Sequence, residues 1–257
     1  MRSDSIVIIP TYNEIENVEV IIKAVFRLGK SFHILIVDDS SPDGTADKVR
    51  ELQEIFPEEL HLLVRAEKEG LGRAYIDGFK WSLQRDYGYI FEMDADFSHN
   101  PKDLTRLYSA CKLRGADMAI GSRYINGVNV VNWPLNRVLM SYGASFYVKM
   151  ITGMRIHDPT AGFVCYKREV IETIDLDAIQ FVGYAFQIEM KFKAYLEKFK
   201  LVEVPIIFKD RVRGKSKMSS KIIHEAVIGV ISMKLKSLFR KKKIRNEQNA
   251  YKERYNS

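Results

Sequence analysis

The sequence is poor in cysteine and in long apolar runs, and both shortages exclude classes of protein. Its two cysteines, Cys111 and Cys165, lie far apart and form neither a metal-binding spacing nor a disulfide framework. We therefore expect buried thiols in a reducing compartment. The longest apolar candidate, Ala226 to Met233, stops at Lys234, well short of the roughly 20 residues of a spanning helix. With no signal-peptide pattern at the start, these features predict a cytoplasmic protein that does not span a membrane.

Charge is distributed unevenly along the chain. The net charge of +7 hides a basic end, since residues 209–257 carry 15 Lys and Arg against 4 Asp and Glu. The preceding residues carry 25 against 29 and are mildly acidic. Such asymmetry indicates an anionic partner at the C-terminal end, either a membrane surface or a nucleic acid, or a tail that is simply solvated. At 46% hydrophobic residues, the rest has ample material for a core.

Short apolar segments alternate with amphipathic ones over the first 120 residues. The apolar segments predict strands at residues 6–9, 33–37, 60–64, 89–93 and 118–120. The segments between them have helical spacing, over residues 16–28, 45–55, 71–85 and 101–114. Buried strands joined by crossover helices predict an α/β fold with a mostly parallel central sheet and helices on both faces. Further on, the patterns predict helices over 135–154 and 184–199, and strands over 161–166 and 202–208, the last interrupted by Pro205.

Polar segments follow several of these strands, at residues 10–14, 38–45, 94–99 and 121–123. The carboxyl ends of parallel strands meet at one edge of a sheet, where such folds bind their ligands. Asp94 and Asp96 follow one strand at its turn, so their carboxylates can converge. Paired carboxylates need a cation or a proton between them, and oxygen ligands suit Mg²⁺ or Mn²⁺. An acidic loop tip without a ligand is the alternative.

Two other segments have simpler alternatives. Gly70-Leu71-Gly72 lacks the third glycine of a dinucleotide-binding motif and follows the third strand rather than the first. It predicts either a turn whose backbone approaches a ligand or plain turn chemistry. In the segment Asp38 to Thr45, Ser40 to Asp43 predict a turn and a helix cap. The pair Asp38 and Asp39 remains available to bind hydroxyl groups or a base edge.

Seven motifs in order resemble the dolichol-phosphate mannose synthase branch of the family 2 glycosyltransferases. They are Pro10-Thr11-Tyr12-Asn13-Glu14, Asp38 to Thr45, Gly70 to Tyr75, Asp94 to His99, Gly121-Ser122-Arg123-Tyr124, Asp158 to Phe163, and Phe186-Gln187-Ile188-Glu189-Met190. The resemblance covers about residues 5 to 220. It implies the GT-A fold, a Rossmann-like nucleotide-diphospho-sugar transferase fold, with a nucleotide-sugar donor, GDP-mannose first. It also implies a divalent metal and a polyprenyl-phosphate acceptor.

The resemblance also implies roles for individual residues. The nucleoside would be held by Pro10, Tyr12, Glu14, Val37 and Asp39. The metal and the donor diphosphate would be held by Asp94, Ala95 and Asp96, with Asp96 the first choice as a direct metal ligand. Donor or acceptor phosphates would be held by Arg123, Arg137, Ser141, Arg211, Arg213 and Lys217. Asp94, Asp96 and Arg123 are the residues expected to carry catalysis.

The acceptor decides whether the site needs a general base. A hydroxyl acceptor usually requires one, whereas a phosphate monoester with a second pKa of about 6 is already an anion at neutral pH. Arginines would then orient the acceptor rather than activate it. Glu189 is the carboxylate placed where a base could lie, and its alternative is an i,i+4 ion pair with Lys193. Attack opposite the leaving group predicts inversion at the anomeric carbon.

The expected organisation has three parts: a catalytic domain over residues 1–218, an amphipathic membrane-surface helix over 219–240, and a basic, disordered tail over 241–257. The helix over 135–154 is rich in large apolar residues and is expected at the membrane interface. We therefore predict a peripheral enzyme on the cytoplasmic membrane face. The alternatives are a UDP-glucose-dependent enzyme, one with a glycan acceptor, and a non-catalytic anionic-lipid-binding module. A nucleic-acid partner is not expected, because the tail does not interleave aromatic and basic residues.

Overall fold

The computed structural model describes residues 3–183, 185–210 and 227–239. Its strands are β1 (Ser5–Thr11), β2 (His33–Asp38), β3 (Leu60–Val64), β4 (Tyr89–Glu92), β5 (Met118–Ser122), β6 (Val130–Val131), β7 (Val164–Lys167), β8 (Leu201–Pro205) and β9 (Phe208–Lys209). Its helices are α1 (Ile15–Phe26), α2 (Thr45–Ile55), α3 (Leu71–Leu83), α4 (Asp103–Lys112), α5 (Leu135–Thr152), α6 (Arg168–Thr173) and α7 (Ala185–Leu196). Residues 227–239 are also helical and are named α8.

The central sheet has seven strands in the order β3-β2-β1-β4-β7-β5-β8. The pairings β1–β2, β1–β4, β2–β3 and β5–β8 are parallel. Strand β7 lies between β4 and β5 and is antiparallel to both. The predicted mostly parallel sheet is confirmed, and the predicted strand over 161–166 is its one antiparallel member among the described residues. The chain leaves the sheet at Pro205, and β9 then pairs with β6 in a separate two-stranded sheet.

Both faces of the sheet are covered, as the apolar strands require. Alternate residues of β1 point to opposite sides, so Ile6 and Ile8 join one core cluster while Val7 and Ile9 join the other. All four side chains are fully buried. Burial of each large apolar side chain contributes about 1.5–3 kcal/mol, so this strand anchors both layers. Both cysteines are buried, free thiols, as predicted, and Cys111 Sγ donates to the backbone oxygen of Cys165 at 3.6 Å.

The loops after three neighbouring strands contain strained backbone. Asn13 after β1, Ser40 after β2 and Phe97 after β4 have φ angles of 58°, 52° and 60°. Residues other than glycine rarely adopt this left-handed region of backbone conformation. Such strain tends to collect at functional sites, because the surrounding structure must enforce it. The strain therefore marks the same edge of the sheet as the polar segments.

Helix α8, the described part of the helix expected over 219–240, has apolar residues both in the core and on the surface. Val230 and Met233 are buried in the core cluster on one face of the sheet. Tyr147 Oη donates to the backbone oxygen of Val227 at 2.9 Å, which ties α8 to α5. The other apolar members described, Val227, Ile231, Leu235 and Leu238, are 40 to 52% exposed. The apolar residues of α8 are therefore divided between the core and the surface.

The rest of the predicted C-terminal organisation is described in part. Of the helix expected over 219–240, the structure describes residues 227–239, and the tail over 241–257 lies outside the described residues. Within the described part of the chain, no helix combines the length and the apolarity needed to cross a membrane.

Candidate active site

The paired aspartates lie where β4 ends at the strained edge of the sheet. Asp96 is 8% exposed, and its Oδ1 accepts a hydrogen bond from the backbone nitrogen of Ser98 at 3.0 Å. Asp94 is more open, with a side chain 37% exposed, and its Oδ2 lies 3.9 Å from His99 Nδ1. The turn thus places one carboxylate inside the loop and the other toward solvent. Ala95 between them is buried.

The buried side chain of His99 holds this turn in place. Its Nδ1 accepts a hydrogen bond from the backbone nitrogen of Asp94 at 3.2 Å, so the ring proton must lie on Nε2. The ring stacks on Phe163 with centroids 4.7 Å apart. Burial lowers the pKa of His99 to about 4, opposed by the charge of Asp96, which keeps the imidazole neutral at physiological pH. The sequence alone indicates no specific role for His99, whereas in the structure it anchors the turn that carries Asp94.

The chemistry of this turn fits a hard divalent cation. Two carboxylates provide oxygen ligands, and the Nδ1 of His99 is already engaged with the backbone of Asp94. Among the described residues, no group of three His, Cys, Asp or Glu could enclose an ion by itself. An ion bound here would need further oxygen ligands from water or from substrate phosphates. Mg²⁺ and Mn²⁺ are commonly bound in that way.

Arg123 at the end of β5 is held by a buried carboxylate. Its Nε and Nη2 donate to the two oxygens of Asp158 at 2.7 and 2.6 Å, and Nη2 also donates to Thr160 Oγ1 at 2.8 Å. Burial opposes the charged form, but Asp158, with a smaller effect from Asp94, raises the pKa of Arg123. Arg123 is expected to hold a phosphate, but its Nε and Nη2 are committed to Asp158 and Thr160. Without breaking this ion pair, a phosphate can reach only Nη1.

The other predicted acceptor residues lie beside Arg123. Tyr124 Oη donates to Ser141 Oγ of α5 at 2.7 Å. The Arg137 Nη1 atom pairs with Asp210 Oδ2 at 2.8 Å. The guanidinium groups of Arg123 and Arg137 lie over the same ring, that of Trp133, at 5.8 and 4.1 Å from its centroid. Arg123, Arg137 and Ser141 are thus neighbours. The Arg123 guanidinium also lies 5.6 Å from the ring centroid of Phe208, and Phe208 meets the ring of His99 behind the aspartate turn.

The residues predicted to hold a nucleoside meet on the ends of β1 and β2. Pro10 and Val37 are register partners in the two adjacent strands. Lys68 Nζ lies 3.8 Å from the ring centroid of Tyr12, a cation that the sequence analysis missed. Glu14 is the N-cap residue of α1, and its backbone nitrogen donates to Thr45 Oγ1 at 3.0 Å. These residues border one part of the edge, next to the aspartate turn.

Asp39 has a buried partner that the sequence did not reveal. Arg65 Nη1 donates to Asp39 Oδ1 at 2.6 Å, while its Nε bonds Asp77 at 2.8 Å and its Nη2 bonds Glu69. Burial raises the pKa of Asp39, and Arg65 opposes that effect. All three nitrogens of Arg65 are therefore committed to carboxylates. Arg65 fixes the orientation of Asp39 at the strand end.

The neighbouring carboxylates build the loops rather than the binding surface. Asp38 accepts from Thr11 Oγ1 at 2.8 Å and from the backbone nitrogen of Ser41 at 2.8 Å. Asp43 Oδ1 accepts from the backbone nitrogen of Thr45 at 3.0 Å. The predicted turn is found, whereas the predicted side-chain cap is not: the N-cap residue of α2 is Gly44, which has no side-chain capping hydrogen bond. Of the pair Asp38 and Asp39, Asp38 is used within the fold.

The glycine segment before α3 serves packing. A Cβ on Gly72 would lie 2.9 Å from the backbone oxygen of Phe181, and one on Gly70, at φ 105°, would lie 3.0 Å from that of Val182. The Gly72 nitrogen donates to Val182 O at 2.7 Å. Of the two interpretations of this segment, turn chemistry is the one found. Its close approach is to the loop before α7.

Glu189 on α7 binds that same loop. Its Oε2 accepts from the backbone nitrogens of Gln180 and Phe181 at 2.9 and 3.1 Å, and its Oε1 lies 3.5 Å from Lys193 Nζ. The i,i+4 pair with Lys193 is therefore present, together with two loop contacts that the sequence did not indicate. Glu189 is 3% exposed and is placed as a structural residue rather than as a base.

A buried polar group behind the aspartate turn was also missed. Lys191 on α7 is fully buried and donates to the backbone oxygen of Ala161 at 2.6 Å. Burial lowers its pKa to about 8, opposed by Glu92. Burial raises the pKa of Glu92 to about 7, opposed chiefly by Lys191. The hydrogen bond of Lys191 ties α7 to the loop that carries Asp158, and its charge acts on Glu92 of β4.

Three predicted site residues, Arg211, Arg213 and Lys217, lie outside the described residues. Their expected phosphate-binding roles remain predictions.

Curated relatives cover most of the chain. The protein is 48% identical over 226 residues to a polyprenol monophosphomannose synthase of Mycolicibacterium smegmatis, covering 88% of this chain and 85% of the relative. It is 44% identical to an undecaprenyl-phosphate mannosyltransferase of Micrococcus luteus, covering 87% and 90%. A dolichol-phosphate mannosyltransferase of Pyrococcus furiosus is 40% identical, and the match spans 85% of this chain but 60% of that longer protein.

Solved structures share the fold at low identity. A glucosyl-3-phosphoglycerate synthase of Mycobacterium tuberculosis in complex with Mn²⁺ and UDP is 16% identical with a TM-score of 0.61, covering 90% of this chain and 79% of the other. A mannosyltransferase of Pyrobaculum calidifontis in complex with GDP-Man and Mn²⁺ is 16% identical with a TM-score of 0.58, covering 93% and 65%. The fold is GT-A, as predicted.

The family model described as glycosyl transferase family 2 matches residues 6–175. That range contains the aspartate turn, Arg123 with its partner Asp158, and the ends of β1 and β2. The chain belongs to the family 2 glycosyltransferases.

Proposed function

We propose that the protein is an inverting glycosyltransferase that moves mannose from GDP-mannose to a polyprenyl phosphate on the cytoplasmic face of a membrane. The observation that carries the proposal is the meeting of two kinds of site. A pair of carboxylates suited to a metal ion is connected, through the rings of His99, Phe208 and Trp133, to a pair of arginines suited to a second phosphate. The names of the relatives at 40 to 48% identity support mannose and a polyprenyl phosphate.

The donor would lie along the ends of β1, β2 and β4. Pro10, Tyr12, Glu14, Val37 and Asp39 would hold the nucleoside, with Asp39 oriented by Arg65 at 2.6 Å. A carboxylate fixed at a strand end suits hydrogen bonds to hydroxyl groups of a ribose. Lys68, 3.8 Å from the Tyr12 ring centroid, adds a positive charge near the diphosphate or base.

Asp96 and Asp94 would hold Mg²⁺ or Mn²⁺ together with the donor diphosphate. When bound, the ion supplies positive charge that stabilises the departing nucleoside diphosphate. Asp96 is the more buried of the two and is fixed by the Ser98 nitrogen, so it is assigned to direct ligation. Asp94 is more exposed, and it is assigned to the donor or to a ligand water. Arg123, connected to the aspartate turn through Phe208 and His99, would add a fixed cation nearby.

The acceptor phosphate would lie between α5 and the end of β5. Arg137 presents its guanidinium there, Ser141 adds a hydroxyl, and Arg123 can contribute Nη1. Arg213 is assigned to the same phosphate, with Arg211 and Lys217 on the donor side. Each charge-assisted hydrogen bond of this kind contributes about 1.5–3 kcal/mol. The cations orient the acceptor oxyanion for attack on the anomeric carbon, opposite the leaving diphosphate.

This arrangement explains why no general base is assigned. The phosphate monoester is ionised at neutral pH, since its second pKa is about 6. Glu189, the carboxylate considered for that role, instead accepts hydrogen bonds from two loop nitrogens. The proposal therefore places all of the acceptor chemistry on orientation and charge.

An exposed apolar surface next to this site supports a membrane location. On α5, Leu135, Leu139, Met140, Phe146 and Met150 are 55 to 72% exposed. Ile228, Leu235, Leu238 and Phe239 of the adjoining α8 are 49 to 69% exposed. Contiguous apolar surface of this kind marks a membrane or protein contact. Because Arg137 and Ser141 lie on α5 itself, docking of α5 on a bilayer would present a lipid phosphate to them. The basic residues after α8 would add about 1 kcal/mol each near an anionic leaflet.

The donor is tested by comparing transfer rates from different nucleotide sugars. Purified protein would be given GDP-mannose, GDP-glucose, UDP-mannose and UDP-glucose separately, each with Mn²⁺ and undecaprenyl phosphate in detergent. We expect lipid-linked sugar from GDP-mannose at a rate at least tenfold above that from any other donor. Preferred turnover of UDP-glucose would replace the donor assignment and keep the acceptor assignment.

A further inference from the structure

Trp133, in the turn before α5, lies between the two arginines of the proposed acceptor site. The Arg137 guanidinium carbon is 4.1 Å from the ring centroid of Trp133, and that of Arg123 is 5.8 Å from it. Two cations over one ring repel each other, and the electron-rich faces of an indole offset that repulsion. Asp158 and Asp210 neutralise the outer sides of the two guanidinium groups, and the ring is the surface that both groups share.

Trp133 is itself held by the aspartate side of the site. Its ring meets Phe208 edge to face, with centroids 5.3 Å apart. Phe208 in turn meets the ring of His99 at 5.5 Å, and His99 fixes the backbone of Asp94. A row of rings thus joins the aspartate turn to the two arginines.

The indole nitrogen gives a second, independent observation. Nε1 of Trp133 is buried and has no hydrogen-bond acceptor within the parts of the chain that the structure describes. A buried donor left without an acceptor is costly, and most such groups in proteins have a partner. An anion between Arg123 and Arg137 would supply that acceptor.

We propose that Trp133 is a positioning residue for the acceptor phosphate: it holds Arg123 and Arg137 at the spacing of a phosphate monoester and donates its indole N–H toward the same anion. This inference rests on the proposed function, because it assigns the anion to the polyprenyl phosphate. It distinguishes the acceptor from the donor, whose nucleoside lies at the ends of β1 and β2.

The test compares Trp133→Leu and Trp133→Phe by steady-state kinetics. Loss of the ring should raise KM for polyprenyl phosphate about tenfold or more, since two cation–π contacts are lost. Trp133→Phe keeps a ring but lacks the N–H, and should give a smaller increase. KM for the nucleotide sugar should stay within twofold in both. An unchanged acceptor KM in a folded Trp133→Leu protein, or equal increases in both KM values, would overturn the proposal.

The chain offers a matched control in its second tryptophan. Trp81 on α3 also lies under a guanidinium, with Arg85 at 3.4 Å, but it packs on Tyr87 and His61 away from the aspartate turn. Trp81→Leu should leave the acceptor KM within twofold of the wild-type value. If Trp133→Leu does not fold, the acceptor KM of Trp133→Phe decides, and a value equal to wild type counts against the proposal.

A fluorescence measurement separates this inference from the enzymatic proposal. In Trp81→Phe, Trp133 is the sole tryptophan, so its emission reports on its own surroundings. We expect a saturable change on addition of a short-chain prenyl phosphate, and none with the corresponding prenyl alcohol. Such a change without mannosyl transfer would reject the proposed reaction and keep the anion site. Equal responses to phosphate and alcohol, or no response, would reject the role of Trp133.

Discussion

The Nδ1 atom of His99 accepts a hydrogen bond from the backbone nitrogen of Asp94 at 3.2 Å. A neutral, buried imidazole thereby shapes the turn on which the two aspartates lie. Protonation would place a proton on Nδ1 and break this contact. Burial lowers the pKa of His99 to about 4 and so disfavours that protonation at neutral pH. From His99, ring contacts lead through Phe208 to Trp133, whose ring lies against both arginines. The aspartate turn and the arginines are therefore parts of one packed unit.

Replacement of Asp96 by asparagine should abolish most activity. The amide keeps the shape of the side chain and the hydrogen bond from the Ser98 nitrogen, but it removes one of two negative charges available to a cation. We expect transfer to fall by at least about a hundredfold and Mn²⁺ affinity, measured by electron paramagnetic resonance, to fall in parallel. Asp47→Asn on exposed α2, where Asp47 pairs with Arg50, is the control and should behave as wild type. Full activity in Asp96→Asn would remove the metal assignment.

Replacement of Arg65 by leucine should weaken donor binding. The effect is indirect, because Arg65 orients Asp39 and is not itself expected to contact the donor. Arg65 is 5% exposed, and its loss would leave Asp39 buried beside Asp38 without its cation. We expect the dissociation constant for GDP, measured by calorimetry, to rise about tenfold, the equivalent of one lost charge-assisted hydrogen bond. Arg50→Leu removes an arginine that is 55% exposed and should leave GDP binding unchanged. If both variants bind GDP equally well, Asp39 does not depend on Arg65.

The stability of the protein should decrease on acidification because of His61. Burial lowers its pKa to about 4, with smaller effects from His33 and Arg85, whereas an unfolded histidine has a pKa of about 6.5. Between these values the unfolded chain binds the extra proton, so stability is complete above about pH 6.5 and is lost as pH falls toward 4. Urea midpoints at pH 7.5 and 5 should therefore differ less in His61→Gln than in wild type. An identical difference in the two proteins would show that His61 is not responsible.

The exposed face of α5 should control binding to lipid. Leu139 and Phe146, seven residues apart on α5, are 63% and 61% exposed. Placing a charge there, as in Leu139→Asp, should reduce partition into vesicles of mixed neutral and anionic lipid about tenfold, because burial of a leucine contributes about 1.5–3 kcal/mol. Leu113→Asp, at the end of α4 and 77% exposed, is the matched control. Sedimentation with vesicles measures both, and equal losses would indicate a nonspecific effect of charge.

Local pattern was sufficient to predict the elements of the sheet. The strands over residues 6–9, 33–37, 60–64, 89–93 and 118–120 all occur, and α2 has the predicted bounds. Near-continuous apolar segments have few alternatives to a covered parallel sheet. The placing of β7 between β4 and β5 is a matter of long-range pairing. Periodicity along the chain carries no information about such pairing.

The partners of the charged residues could not be predicted for the same reason. Arg123 and Asp158 were both in recognised motifs, yet 35 residues separate them, and no local rule pairs them. The burial of Arg65 could not be predicted, since a single arginine that follows a strand is usually exposed to solvent. Glu189 shows the limit of helical spacing: its i,i+4 neighbour was found, while its two loop donors come from an irregular segment.

The most direct test of the account is transfer to an acceptor with and without its phosphate. Purified protein would be incubated with Mn²⁺ and GDP-mannose labelled in the sugar, together with undecaprenyl phosphate or undecaprenol. The account predicts a labelled lipid from the phosphate alone, with the anomeric configuration opposite to that of the donor, and its loss in Arg137→Gln. Labelled undecaprenol, or a labelled lipid with retained configuration, would contradict a mechanism in which an arginine-held phosphate attacks the sugar.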